Sequence, residues 1–380
     1  MGLLFSSIEL DATGSLEGLV SAIEHATAMG ARSLLILSCD GDDPPTERLN
    51  NYLSAVNIPL CGGIFPQIIH RQNAYERGSL VCGLTAATPV AILNGLSTLT
   101  AQEIAAATTD HPGFAPAQSY LVLADGASEH LDAFIQRLGT VLNPEKTVLG
   151  AAAGSLKTVK KPCLITSRGL IDDAALVIGL DSPVNTGIGL GWEPVAGPFI
   201  VTRSQERNVV ALDYRPAFDV YRETVESLTN RRLKPSDFFS FASRFPLAID
   251  HFARHPILRS PIQLDGTALV CTGHVPENSA VYIAQGHDQA VIAAALKSAQ
   301  AALGSPESAA PQRDTVIFDG INRKLYLEEK FATELNSLWT STSAKADLVG
   351  ALSMSQIARV NEGTLRLLNN TTVTGVGQGH

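Results

Sequence analysis

The sequence predicts an α/β plus α+β protein: an internally duplicated α/β domain over residues 1–183, then an α+β domain over residues 184–380. Apolar strand-like runs alternate with helical periodicity through the first 181 residues, the pattern of packed strand–helix–strand units. A second pass of that pattern follows the first, turn for turn. Beyond about residue 184 the texture changes to strands and turns.

GLLFSSIEL reads as a first strand. SLEGLVSAIEHATAMG follows as a helix, with Leu16, Leu19, Ile23 and Ala26 at helical spacing and Gly30 placed to close it. His25 falls on the surface or boundary of that helix. ARSLLILSC is a buried strand, PPTERLNNYLSAV a helix entered through prolines, and GSLVCGL and PVAILNGL further strands. The second pass begins at SYLVLADG, which resembles SLLILSCDG, and HLDAFIQRLGTVL supplies its helix. GAAAGS then stands where GGIFPQ stood, and DAALVIGL answers GSLVCGL. The glycine-rich turns at residues 62–63 and 150–154 are therefore expected at equivalent points of two similar units, facing a shared cleft.

In the second domain PAFDVYRETVESL reads as an amphipathic helix with Phe218, Tyr221, Val225 and Leu228 on one side. TVIFDGINRKLYL and TLRLLNNTTVTGV read as strand pairs flanking the helix EEKFATELNSLW. SAQAALGSPESAAPQRD is small, contains prolines and reads as an exposed connection.

Composition narrows the function. With 45% hydrophobic and 17% charged residues the chain buries a substantial core. A net charge of −9 argues against nucleic acid, because phosphate binding needs a basic face and only short clusters such as KTVKKP are present. Five cysteines, Cys39, Cys61, Cys82, Cys163 and Cys271, are an odd number without CxxC spacing, which argues against a disulfide framework and a thiolate zinc site. No secretory leader and no bilayer-length apolar run are seen, so a cytoplasmic protein without membrane insertion is expected. MGLLFS fits the myristoylation pattern and equally makes a first strand.

CGGIFPQIIH, residues 61–70, places two glycines and a proline around an apolar run ending on His70. Gly62, Gly63 and Phe65 form either the floor of a pocket or a tight turn inside the core. Arg323 stands in an apolar stretch, where a guanidinium must find an anion or several carbonyls. It grips a ligand carboxylate or phosphate, or it forms a structural salt bridge to an acid such as Glu334. Arg259 in ILRSPI carries a weaker version of the same argument, against a loop arginine. His251 and His255 in HFARH have metal-ligand spacing, but Pro256 disfavours the helix they would need and no third ligand is near in sequence. His70, His274 and His287 lie beside turn residues, where an imidazole ligates haem iron or simply holds a carbonyl. CDGDDPPTE offers oxygen ligands to a cation, or starts the next helix. GIGLG lacks the third glycine of a dinucleotide site and reads as a turn between domains. Walker, HExxH and GxSxG patterns are absent, so no catalytic residue and no metal site are assigned.

Several segments in order, LLILSCDG, GGIFPQII and GAAAGS, then GPFIVTRSQERNVVALDYRPAFDVY, TGHVPENSAVYIA, VIFDGINRKLYLEEKFATEL and GALSMSQIARVNEGTLRLLNNTTVTGVG, resemble the FIST family of paired N and C sensory domains. The resemblance covers nearly the whole chain. It implies a non-enzymatic sensor of small ligands, amino acids among them, with haem as a possible cofactor by likeness to stand-alone nitric-oxide sensors that control a separate histidine kinase. The chain departs from the family pattern at Gly320, where a cysteine is usual, and at Ser355, Gln356 and Ile357, where Gly-Glu-Ile is usual. The expected ligand-binding set is Arg323, Asn322, Arg259, Gln356, Gly62, Gly63 and Phe65, with His70 and then His274 as candidate haem ligands. With no kinase or other output module in the sequence, the signal is expected to pass to a separate partner. The alternative is an enzyme acting on a small anionic substrate with Arg323 as anion clamp, favoured if His70 or Asp319 lies beside that arginine.

Overall fold

A computed structural model describes residues 4–42, 46–156, 160–234, 236, 238–249, 256–304, 314–342, 347–360 and 363–378. His251 and His255, the middle of CDGDDPPTE and most of the connection after Leu303 lie outside the described residues. The fold is mixed α and β, as the sequence predicts.

The duplication read from the sequence is two-thirds of a triplication. In the first repeat a sheet runs in the order Phe5–Asp11, Ser79–Leu84, Ser33–Cys39, Leu60–Phe65. The second repeat gives Val90–Asn94, Ala174–Leu180, Ser119–Asp125, Thr147–Ala153 in the same order. A third gives Val184–Gly189, Thr372–Gly377, Thr315–Gly320, Leu348–Ser353. In each, the last two strands are parallel and joined through a helical crossover, and the other pairings are antiparallel.

Each repeat also lends a hairpin to a neighbour. The strands Gln67–His70 and Asn73–Tyr75 of the first repeat complete the sheet of the third, with Ile69 opposite Gly350. Leu164–Thr166 and Gly169–Ile171 of the second complete the first, with Ile165 opposite Gly62. Gln356–Val360 and Thr364–Leu368 of the third complete the second, with Ile357 opposite Gly150. The exchange is cyclic and ties the two ends of the chain into one body.

The inner faces of the three six-stranded sheets meet in a common core. Equivalent positions supply it: Leu37, Leu123 and Phe318 on one strand, Cys61, Leu149 and Val349 on the next, all buried. Helices cover the outer faces. Leu16–Ala28 does so in the first repeat with Leu19, Ile23 and Ala26 turned inward and Ser15 capping its N-terminus, while His25 stays outside against Glu9. Leu131–Val141 covers the second repeat, and Asp288–Leu303 and Phe331–Ser341 the third.

Gly62 and Gly150 stand at matching points, each with a third equivalent in Gly350. They are not turns, as the sequence reading had them, but strand interiors. A Cβ at Gly62, Gly150 or Gly350 would lie 1.9, 1.8 or 1.8 Å from the carbonyl oxygen of Ile36, Val122 or Ile317, the residue paired with it on the parallel neighbour. Only glycine permits that approach of two backbones.

A separate module, residues 192–286, interrupts the third repeat between Val184–Gly189 and Asp288–Leu303. It holds an eight-stranded sheet and the helix Ala217–Thr229, whose Phe218, Tyr221 and Val225 are buried whereas Leu228 faces water. Two further readings change. INRKLYL is a helix, Ile321–Leu327, not a strand, and the start of GIGLG lies in the strand Val184–Gly189 rather than in a turn between domains.

Candidate functional site

Ligands of sheets with parallel strands collect beyond the carboxyl ends of those strands. In the second repeat that edge is built by Asp125, which closes the strand Ser119–Asp125. Its Oδ1 accepts from the Ala127 N–H at 2.9 Å and its Oδ2 from the Asp173 N–H at 2.8 Å. The chain then enters helix Leu131–Val141 with His130 at the N-cap, and no side chain caps it. First-turn N–H groups of such a helix lack internal partners and favour an anion.

Here a cleft of about 280 Å³ opens between three parts of the chain. Glu129, His130 and Gln136 come from the second repeat, Arg207, Thr272 and His274 from the inserted module, and Ser355 and Leu367 from the third repeat's hairpin. Its size is near the lower end of ligand pockets, roughly 300–1,000 Å³, and suits a small molecule. Charges of both signs line it, Arg207 together with Glu129 and Glu206.

Arg259 and Asp132 fix the walls. Nη2 of Arg259 donates to Oδ2 of Asp132 at 2.6 Å, with the two side chains 3% and 9% exposed. Nε donates to the His274 carbonyl and Nη1 to the carbonyls of Leu258 and Leu367 and to Asn369 Oδ1. Gly273 is needed beside it, since a Cβ there would stand 2.7 Å from Arg259 Nε. Arg259 is thus a strand residue holding two cleft walls, not a loop arginine.

Arg323 is wholly buried and sits on the helix Ile321–Leu327. Nε and Nη2 donate to the two carboxylate oxygens of Glu334 at 3.1 and 2.6 Å. The remaining donors go to the carbonyls of Leu190, Asn370 and Val291, and the guanidinium lies 5.5 Å from the Trp192 ring centroid. Asp319 does lie beside it, with Oδ1 3.1 Å from Nε. Burial raises the pKa of both carboxyls, and Arg323 only partly offsets this. A guanidinium has five N–H donors, and all five are spent on the protein. The structural salt bridge to Glu334 is the reading the geometry favours, and an anion clamp has no donor left.

The other expected residues lie apart from the cleft or serve as its frame. Asn322 Nδ2 donates to Asn370 Oδ1 at 3.1 Å, and Gln356, fully buried, donates to Ser353 and accepts from the Thr371 N–H. Gly320 is crowded by the Asn370 backbone, with a Cβ 3.2 Å from its Cα, so the usual cysteine has little room. Phe65 is fully buried against Phe318, ring centroids 6.3 Å apart, and Gly63 lies under its ring. His70 sits at the far end of the third sheet, its Nε2 3.8 Å from Asp347 Oδ1. That proximity, with Arg71, holds the Asp347 carboxyl below the usual range. His287 precedes helix Asp288–Leu303 without capping it.

The residues around these histidines do not fit a haem. His70 does not line the polar cleft, and the apolar cavity in the common core of the three sheets, beside Leu35, Leu121 and Val316, measures about 20 Å³. His274 does reach the cleft, but a macrocycle needs broad apolar walls and the cleft presents carboxylates and a guanidinium. Among the described residues no group of three or more His, Cys, Asp or Glu is placed to hold a metal ion.

Glu129, His130, Gln136 and Arg207 were missed from sequence, and Ser355 was noted only as a departure from the family pattern. The signal that bears on the first three is positional: SYLVLADG ends a strand of a parallel pair, and GASEH lies between it and the helix, where the fold rule puts ligands. Arg207 sits in a turn of the inserted module with no pattern to mark it.

Two family models match. The FIST N domain covers residues 1–215 and the FIST C domain residues 217–359. No curated protein matches the chain. Among the described residues no helix is long and apolar enough to cross a membrane. FIST domains are small-ligand sensory domains of signalling proteins, sensory rather than catalytic. The ordered motifs, the two-part layout and both matches converge: the chain belongs to the FIST family, with an N and a C domain.

Proposed function

We propose that this protein senses a small polar molecule carrying a carboxylate and a cationic or hydrogen-bonding group, bound in the cleft between the second repeat and the inserted module. The observation that carries this is the lining: an uncapped helix N-terminus with Glu129 just before it from the second repeat, and Arg207 with Glu206 from the inserted module, in a space of about 280 Å³. A free amino acid has that charge pattern. Because the walls come from separate parts of the chain, occupancy alters how the inserted module seats on the repeats, which a separate signalling partner can read.

Ala133, exposed on the helix and part of the lining, offers a test. Thermal shift with a panel of free amino acids, dicarboxylates and inorganic phosphate should identify a binder, and Ala133→Trp should abolish its shift while leaving the unliganded melting temperature within a few degrees. A binder whose shift survives Ala133→Trp contradicts the assignment.

A narrower version is a haem-borne nitric-oxide sensor acting on a histidine kinase. It would rest on His70 or His274, and the surroundings of both count against it. Haemin titration decides: a saturable Soret band lost in His70→Ala or His274→Ala would establish it against the present reading.

A further inference from the structure

We infer that the junction of the inserted module with the helix Ile321–Leu327 holds a second ligand site, for a small monocarboxylate with an apolar body. A cavity of about 660 Å³ opens there, well within the range of ligand pockets. Its apolar walls include Leu228, Phe239 and Leu325, which are 42%, 49% and 41% exposed and are three of the few large apolar side chains that the fold leaves facing water. Gathered at one concave place, they present apolar surface that a ligand would cover.

Two arginines against one acid, Glu328, line this cavity in a chain of net charge −9. Arg231 and Arg244 line it, and Arg232 and Lys234 follow Arg231, all of them exposed. Arg244 lies over the Tyr326 ring, 5.9 Å from its centroid. Its pairing with Glu328, at 3.3 Å, joins two side chains that are 53% and 69% exposed. Such a pair is weak. An incoming carboxylate takes the Arg244 fork, with Arg231 as second cation, while its hydrocarbon part covers Phe239, Leu228 and Leu325. The polar cleft, by contrast, has acidic groups on its walls and only Leu131, Ala133 and Leu367 as apolar contributors. The two sites therefore select different molecules.

Isothermal titration of the full chain with octanoate, 1-octanol and acetate tests this. Octanoate is expected to bind at one per chain, at least tenfold more tightly than either of the others, because only it offers both halves of the recognition. In the double variant Arg231→Gln, Arg244→Gln that preference over octanol should fall below threefold with octanol binding unchanged, which also shows the cavity intact. Octanoate binding should persist in Ala133→Trp. Equal affinity for octanoate and octanol in the wild type, absence of octanoate binding, or its loss in Ala133→Trp would each overturn the proposal.

Discussion

Arg259 on the inserted module and Asp132 on the second repeat meet at 2.6 Å, 127 residues apart in sequence, at the edge of the polar cleft. Removing one member of a buried pair strands the other charge, at about 3–5 kcal/mol. Asp132→Ala and Arg259→Met are each expected to lower stability by that order in urea unfolding. The double variant Asp132→Leu, Arg259→Met should lose less than the sum of the two. Single variants within about 0.5 kcal/mol of wild type would show that the pair does not join these parts in solution.

The glycines at 62, 150 and 350 provide a test of the three-repeat architecture. An added Cβ at each meets a backbone oxygen closer than 2 Å, so alanine at any of the three should destabilise by about 3 kcal/mol or more. Gly266, which has φ +58° and open space around it, is the control: alanine there should cost only about 1–2 kcal/mol. A large loss at 62 and 150 with none at 350 would remove the third repeat from the scheme.

Phe65 separates core from pocket. It is fully buried in the shared core against Phe318. Phe65→Ala should cost about 3–5 kcal/mol and leave ligand affinity in the cleft unchanged in the folded fraction. Near-wild-type stability with lost binding would make it a pocket wall.

Asp314 gives the stability a pH signature. Burial pushes its carboxyl from 3.8 up to about 6, with Asp347 adding to the shift, although its Oδ2 accepts from the Phe5 N–H at 2.9 Å. The folded state thus holds the proton more tightly than the unfolded state. Its contribution is greatest below about pH 4 and is lost as pH rises through about 6, roughly 3 kcal/mol in all. Asp314→Asn should flatten stability between pH 4 and 7, measured by urea midpoints. An unchanged slope would place the titration elsewhere.

The first two repeats were legible because SLLILSCDG and SYLVLADG, GGIF and GAAA, recur within continuous stretches of chain. The third was not, because the inserted module separates Val184–Gly189 from helix Asp288–Leu303, and a repeat split by nearly 100 residues has no visible period. The hairpin exchange was equally hidden: Ile69 pairs with Gly350, and nothing local in IIH reports so distant a partner. INRKLYL misled because seven residues of mixed polarity fit a strand and a short helix alike. Arg323 was recognisable as needing partners, and Glu334 was named among them. The cleft stayed unseen because its polar residues sit in loops and at a helix start, brought together by tertiary pairing alone.

Hydrogen–deuterium exchange on the wild-type chain, with and without the strongest binder from the amino acid, dicarboxylate and phosphate panel, tests the ligand cleft most directly. The account expects added protection to concentrate in residues 126–133 and 272–274, the two walls that Arg259 and Asp132 hold together. Protection confined instead to the helix Ile321–Leu327 or to the hairpin bearing His70, with the cleft unchanged, would contradict it.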